Sequence, residues 1–206
     1  CFNIVLGHQG GLNDGIVGVM GYSNDFYPIS GTPINDGSWH YISVTYNGAG
    51  ELDIYVDGVL DNSTSGMFYN TTGQNNYIGI KNQVGDVWDF EGLIDDVEYW
   101  NVALTQQEIQ NYMNCPPTSN ENGLIGYWNF EEGSGNTVID QSGNNNNGLI
   151  NGSIYSIENP VQSCMNINGC DSTAILNLTI TQPDTSTTDV TACESYNWND
   201  STYTQS

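Results

Sequence analysis

The most constraining feature of this sequence is an alternating segment that a tight turn folds back on itself. Over residues 39–46 large apolar side chains recur at every second position, which places Ile42 and Val44 on one face of a strand. An Asn-Gly pair at residues 47–48 is a strong turn signal, and residues 52–56 alternate in the same way. The returning strand is predicted to present three side chains to that face: Leu52, Ile54 and Val56.

Short strand-like segments with turn signals between them continue through the first hundred residues and resume after residue 123. Segments of this length without intervening helices predict an all-β fold, an antiparallel β-sandwich. Besides the hairpin, the predicted strands are residues 2–6, 16–20, 59–60, 77–80, 90–99 and 124–130.

One short helix is predicted among these strands. Thr105 and Glu108 form a capping-box pattern, in which each side chain bonds to the backbone amide of the other residue. Leu104 and Ile109 fit the hydrophobic staple that accompanies such a cap. The helix is predicted to end near Met113, before a pair of prolines.

Composition divides the chain into three parts. The proline pair marks the first boundary, and a Ser- and Thr-rich composition begins near Cys164. We therefore predict a module at residues 1–114, a linker with a strand-like segment at residues 115–163, and a small partial β repeat at residues 164–206. The sequence opens at Cys1 within a strand-like segment and stops at Ser206 without a terminating element, which predicts that other domains of the same polypeptide adjoin the chain.

The charge balance argues against two classes of partner. One Lys or Arg stands against 24 Asp and Glu, for a formal net charge of −23 at pH 7. Almost nothing is available to neutralise phosphates, so we expect neither nucleic acid nor an anionic membrane surface as a partner. No apolar run approaches the length of a membrane span, so we also expect no membrane insertion.

The five cysteines lack the paired short spacing of zinc sites and predict disulfides in an oxidising compartment. Cys115 with Cys164 and Cys170 with Cys193 are two possible pairs, and the sequence leaves the connectivity open. This cysteine usage favours a secreted or cell-surface protein.

The hairpin, the segment at residues 90–101 and the helix start at residues 104–109 together resemble a laminin-G-like domain. Such domains are concanavalin A-like, with the sandwich of lectins, glucanases and pentraxins. The resemblance implies a jelly-roll β-sandwich, an extracellular setting and carbohydrate or a surface glycoconjugate as the ligand.

The opening strand of that family is missing from its usual place. A segment of the same form occurs instead at residues 124–135, followed by residues 140–144. Either a second module begins there and is cut short, or the segment supplies the first strand of the preceding sandwich, whose edge is otherwise unpaired. Only roughly forty residues separate Leu124 from Cys164, fewer than a complete sandwich needs.

The tail resembles repeats of very large secreted surface proteins of Bacteroidetes-type bacteria. Residues 168–180 and 189–198 carry this likeness. It implies an adhesin-like architecture on the cell surface.

Glucanases share the implied fold, so an enzyme must be considered. They need carboxyls at alternating positions of one strand, which then line one side of the sugar. The usual pattern has three such acids. Glu51 and Asp53 match the first two, but no third acid follows them. Glu91, Asp95 and Glu98 are not spaced at alternating positions. We therefore expect a non-catalytic module.

Calcium is the cofactor that the sequence favours. Oxygen-bearing side chains at alternate positions of a Gly-containing loop are a pattern of hard-cation sites, although an ordinary polar turn fits it too. The loop lacks a closing acid, which the segment at residues 90–101 would supply if it lies beside the segment at residues 124–135. The predicted ligands are Asp140, Ser142, Asn144 and Asn146, with Asp95 or Asp96.

Sugar recognition in laminin-G-like domains uses rim loops and exposed aromatic residues. Each such aromatic residue fits sandwich packing as well. The candidates are Trp88, Tyr69, Tyr77 and Trp100. The predicted function is thus carbohydrate recognition or adhesion, with a purely structural spacer as the alternative and a glycoside hydrolase disfavoured.

Overall fold

The computed structural model divides into two compact units, Cys1–Val161 and Gln162–Ser206, which are described separately. The residues that the structure describes are 2–6, 15–21, 29–66, 76–83, 86–162, 164, 177–180, 186–189, 195–198 and 201–204.

Antiparallel strands dominate the described part of the first unit, with a helix between the ninth and tenth strands. The elements are β1 (Phe2–Leu6), β2 (Ile16–Gly21), β3 (Ile29–Pro33), β4 (Ile42–Tyr46), β5 (Leu52–Val56), β6 (Val59–Thr64), β7 (Ile80–Gln83), β8 (Asp86–Asp89), β9 (Val97–Trp100), α1 (Gln106–Asn114), β10 (Leu124–Trp128), β11 (Thr137–Val138) and β12 (Gly148–Leu149).

The described strands of the second unit form two antiparallel hairpins. The first joins β13 (Asn177–Ile180) to β14 (Ser186–Asp189), and the second joins β15 (Ser195–Trp198) to β16 (Ser201–Thr204). The sequence-based module boundaries stay a prediction.

Two three-stranded sheets build the core of the first unit. Their strand orders are β1-β2-β3 and β4-β5-β6, and their apolar faces meet. Val17 and Val19 of the first sheet and Leu52 and Ile54 of the second are almost fully buried there. This packing confirms the predicted all-β, concanavalin A-like sandwich.

The predicted hairpin forms with the predicted facing. Val44 pairs with Ile54, and Ile42 pairs with Val56, so the apolar side chains of β4 and β5 share one face. Ile42 and Val44 pack against the buried cluster. Because register and burial agree here, the alternating pattern alone was sufficient to predict this part of the core.

Asp57 and Gly58 connect β5 to β6 in the tight turn that the sequence predicts. Both have left-handed backbone conformations, with φ of 52° and 71°, as a type I′ turn requires. The Asp57 carboxylate also accepts the Tyr41 backbone N–H at 2.9 Å and lies 2.9 Å from Nδ1 of His40. The turn therefore fixes the chain that enters β4.

His40 is held on both sides of its ring. Nδ1 faces Asp57, and Nε2 lies 3.1 Å from Oδ1 of Asp36. The hydrogen bond to Asp57 is the largest cause of a raised pKa at His40, against which burial acts, and Asp36 raises it further. The contribution of this pair to stability is therefore complete below the unfolded pKa and is lost as pH rises through the folded pKa.

The capping box of α1 is confirmed. The Glu108 backbone N–H bonds to the Thr105 hydroxyl, and the Thr105 backbone N–H bonds to the Glu108 carboxylate at 2.7 Å. Ile109 is fully buried. The helix is tied to the β5–β6 turn, because the side-chain amides of Gln106 and Gln110 both donate to the Gly58 carbonyl.

Two predicted strands have the wrong extent. Tyr77 and Ile78 precede β7, which begins at Ile80, and residues 90–96 are not a strand, since β9 begins at Val97. Left-handed backbone conformations explain both limits. Gly79 has a φ of 78° and Asp96 a φ of 46°, and neither value fits an extended strand.

The strand-like segment after the proline pair joins the preceding module. β10 pairs antiparallel with β9, with Tyr127 opposite Glu98 and a register shift between Leu124 and Gly126. β9 thus has a hydrogen-bonded partner along this edge.

The predicted disulfide cysteines are only partly within the described residues. Cys115 and Cys164 are both disulfide-bonded. Cys170 and Cys193 lie outside the described residues.

We predict that Gly58→Ala destabilises the chain more than Gly48→Ala. Both glycines are left-handed, so both substitutions carry a backbone cost. A Cβ at Gly58 also meets Cγ of Gln110 at 2.8 Å, whereas a Cβ at Gly48 meets no atom within 4 Å. We expect the Gly58 variant to lose about 1–3 kcal/mol more of the free energy of unfolding, as measured by urea denaturation. Equal losses contradict the proposed contact between the turn and α1.

Candidate functional site

The four predicted sugar-binding aromatic residues do not share one described surface. Tyr77 is 53% exposed, as a stacking residue must be. Trp100 is half-buried instead, with its ring 4.8 Å from the Tyr112 ring, a packing contact. Trp88 belongs to β8, but its side chain is not described, and Tyr69 lies outside the described residues.

The inner face of the β9–β10 pair carries a cluster of carboxyl and aromatic groups. Glu98 lies opposite Tyr127 in the register, and its Oε2 accepts the indole N–H of Trp100 at 3.0 Å. The Tyr127 hydroxyl donates to Oδ1 of Asp96 at 2.6 Å. Tyr41 also lies against Glu98, and burial raises the pKa of this tyrosine. The cluster therefore connects Tyr41, which directly precedes β4, with the strands β9 and β10.

Burial controls the charge of Glu98. It raises the pKa to about 7, although hydrogen bonds from Trp100 and Tyr41 act in the opposite direction, and the negative charge of Asp96 raises it further. Close to neutral pH this carboxyl is therefore partly protonated. A protonated carboxyl remains a hydrogen-bonding group without the cost of a buried charge.

Asp95 is perturbed in the same direction. Burial and the charge of Asp96 raise its pKa to about 6, the Asp96 backbone N–H lowers it, and Glu131 adds repulsion. With one basic residue in the whole sequence, these carboxyls have almost no cationic side chain to pair with. Repulsion and desolvation therefore dominate this part of the sandwich.

The Asp140 carboxylate organises the Asn-rich loop. Its two oxygens accept three backbone N–H groups, from Tyr127 at 3.0 Å, Ser142 at 2.9 Å and Asn146 at 2.8 Å. Asp140 is buried, and burial raises its pKa, but the hydrogen bonds from Ser142, Tyr127 and Asn146 outweigh burial and hold the pKa below its usual value. Asp140 is consequently ionised at neutral pH.

The other predicted calcium ligands bind the backbone of β10. The Ser142 hydroxyl and the Asn146 side-chain amide donate to the Ile125 carbonyl, at 3.2 and 2.8 Å. The Asn144 amide donates to the carbonyls of Leu124 and Ile125, at 3.0 and 3.1 Å. As folded, the loop is a hydrogen-bonded support for β10 rather than a cage of free oxygen atoms.

Tyr127 links the two halves of the predicted calcium set. Its backbone N–H bonds to Asp140 and its hydroxyl to Asp96, at opposite ends of the residue. Asp95 lies beside Asp96, and its Oδ1 accepts the Asp96 backbone N–H at 2.9 Å. No three His, Cys, Asp or Glu side chains gather as a metal-binding group within the described ranges. Calcium stays a prediction of the sequence.

Sequence reasoning missed the residues on the outer face of the same two strands. Tyr99 is 44% exposed there, and Trp128 lies on the same face, because Tyr99 pairs with Gly126 and Val97 with Trp128. The sequence signal for this outer face is the alternation within β10, which places Tyr127 and Trp128 on opposite faces of the strand. It becomes informative only when the partner strand and register are known.

We predict that Glu98→Gln makes the chain relatively more stable as the pH rises. A carboxyl whose folded pKa is raised to about 7 from 4.5 contributes stability that is present below pH 4.5 and lost as the pH rises through about 7. Glutamine keeps an acceptor for Trp100 and has no charge to bury. We subtract the free energy of unfolding of the wild type from that of the variant. This difference should be about 1–3 kcal/mol larger at pH 8.5 than at pH 4.5.

The measurement is chemical denaturation at both pH values, with Glu91→Gln as the matched control. Glu91 is exposed, so the same charge removal there tests for a general effect of net charge. A difference that is independent of pH for Glu98→Gln, or equal for both variants, contradicts the buried-carboxyl explanation.

Known proteins resemble this chain in sequence and in fold. A rat protein (Rattus norvegicus), Sushi, von Willebrand factor type A, EGF and pentraxin domain-containing protein 1, is 25% identical over 133 residues. That match covers 59% of this chain and 4% of the rat protein.

A solved structure also shares the fold. It is a candidate carbohydrate-binding protein from Bacteroides ovatus, with a TM-score of 0.60 and 22% sequence identity. The match covers 72% of this chain and 44% of that protein, so this chain spans less than half of either similar protein.

A family model defines the relationship most directly. The model described as the concanavalin A-like lectin/glucanases superfamily matches residues 5–110, more than half of the 206 residues. This chain therefore belongs to the concanavalin A-like lectin/glucanases superfamily.

Proposed function

We propose that this chain is a non-catalytic module that binds a carbohydrate or a surface glycoconjugate within a large secreted or cell-surface protein. The observation that carries the proposal is the superfamily match over the sandwich at residues 5–110, because lectins are one of the two classes that the superfamily name joins. The fold shared with the candidate carbohydrate-binding protein from Bacteroides ovatus supports the same function.

The carboxyl groups favour a lectin over a glucanase. A retaining glycosidase needs two carboxyls about 5 Å apart that face a sugar, one as an acid and one as a nucleophile. Asp96 and Glu98 are two residues apart, but the side chains of Tyr127 and Trp100 already bond to them. Carboxyls held by protein donors on an inner face support binding without hydrolysis.

An extracellular setting is part of the proposal. The disulfide-bonded Cys115 and Cys164 favour an oxidising compartment. Within the described ranges, no helix has the length and apolar character needed to span a membrane. Adhesion and the surface-protein repeat at residues 164–206 are proposed from the sequence resemblance alone.

The test is a glycan array probed with the full chain, followed by incubation of each retained glycan with the chain. We predict retention of at least one glycan and no new reducing ends or shortened products. Release of products would show a glycosidase and overturn the non-catalytic assignment. Failure to retain any glycan would overturn carbohydrate binding and favour a structural spacer.

A further inference from the structure

We propose that the outer face of the β9–β10 pair is a saccharide-binding platform on which Tyr99 and Trp128 stack against a neutral pyranose. The inference rests on the proposed carbohydrate-binding function and assigns that function to a specific surface. The surface is defined by Val97, Tyr99, Gly126 and Trp128, and we call it the outer platform.

The register places the four residues of the outer platform together. Tyr99 pairs directly with Gly126, and Val97 with Trp128. Directly paired residues of antiparallel strands lie on the same face, with their Cβ positions about 5 Å apart. Tyr99 therefore stands beside a glycine, and its side chain is 44% exposed.

Gly126 makes room for the Trp128 ring. A Cβ added at Gly126 would lie 2.4 Å from Cη2 and 2.9 Å from Cζ2 of the Trp128 indole. The six-membered ring thus lies over the backbone of its own strand, with Gly126 buried beneath it and Trp128 half-buried. An aromatic side chain in this position brings apolar surface to the outer face of the strand pair, where a sugar ring can stack on it.

The indole is also held at its other edge. Its Nε1–H donates to the Asn146 carbonyl at 2.9 Å, and the Asn146 backbone N–H is bound by Asp140. A stacking ring that is fixed before the ligand arrives loses little conformational entropy on binding. The hydrogen-bonded loop therefore preorganises the outer platform.

Two exposed amide side chains belong to the loop whose backbone contacts β10. Asn145 adjoins the carbonyl that holds the indole, and Gln141 is tied to β10 through its backbone N–H and the Tyr127 carbonyl, at 2.7 Å. Both side chains are exposed. A side-chain amide donates and accepts hydrogen bonds, which suits it to sugar hydroxyls that do the same.

Charge selects among saccharides. The chain carries 24 acidic side chains and one basic side chain, so an anionic glycan meets repulsion without a compensating cation. A neutral sugar stacks on aromatic rings without that penalty. The combination of two aromatic rings, amide neighbours and a strongly negative chain therefore favours a neutral pyranose over a sialylated or sulfated one.

The test compares glycan affinity between the wild-type full chain and its variants, on a panel of neutral, sialylated and sulfated oligosaccharides. Tyr99→Ala and Trp128→Ala each remove one ring, and we expect each to weaken the Kd for the preferred neutral glycan by about tenfold or more. Because Tyr99 is exposed, its variant should keep the wild-type melting temperature, so a folding defect at Trp128 leaves the proposal testable.

Phe90→Ala is the matched control. The Phe90 ring also lies over a glycine, since a Cβ at Gly92 would lie 2.8 Å from its Cε1, and its exposure of 37% is comparable. We expect its Kd to equal that of the wild type. An equal loss in the control variant and the Tyr99 variant would overturn the assignment to the outer platform.

The outcomes separate this inference from the proposed function. If the wild type binds no saccharide, both fail. If the wild type binds a glycan and Tyr99→Ala binds it equally well, carbohydrate binding stands and the outer platform is wrong. A preference for sialylated or sulfated glycans would overturn the neutral ligand class.

Discussion

A single buried carboxylate, that of Asp140, connects β10 to the Asn-rich loop. The position of β10 at the edge of the sandwich depends on this connection. The carboxylate oxygens accept N–H groups from Tyr127 in β10, from Ser142 and from Asn146. Hydrogen bonds to a charged acceptor are about twice as strong as neutral ones, and here they outweigh the cost of burial. β10 in turn pairs with β9, so β9 keeps a partner along its edge.

The two faces of the β9–β10 pair have different chemistry because alternate residues point in opposite directions. On the inner face, Glu98 and Tyr127 join a network in which burial raises the pKa of the carboxyl to about 7. On the outer face, Tyr99 is exposed and Trp128 lies over Gly126. On the inner face, the hydrogen bond from Tyr127 to Asp96 links β10 to the residue before β9. The pairing of the two strands holds the outer rings in position.

Local patterns were sufficient to predict some elements, and tertiary contacts decided the others. The hairpin of β4 and β5 and the capping box of α1 follow from neighbouring residues, so alternation and cap spacing predicted them. The loop at residues 140–146 was ambiguous, because oxygen-bearing side chains at alternate positions fit a cation loop and a hydrogen-bonded loop equally well. Only the position of β10, whose carbonyls these side chains bind, reveals the hydrogen bonding. The outer platform depends on a register shift near Ile125, which no sequence period shows.

Amide hydrogen exchange most directly tests the claim that Asp140 holds β10 in place. In the wild type, the amides of Tyr127 and Asn146 should exchange as slowly as that of Tyr55, which pairs with Ser43 in the core hairpin. In Asp140→Ala, both amides should exchange much faster, while Tyr55 stays protected. Rapid exchange of Tyr127 in the wild type, or exchange that is unchanged by the substitution, would contradict the account.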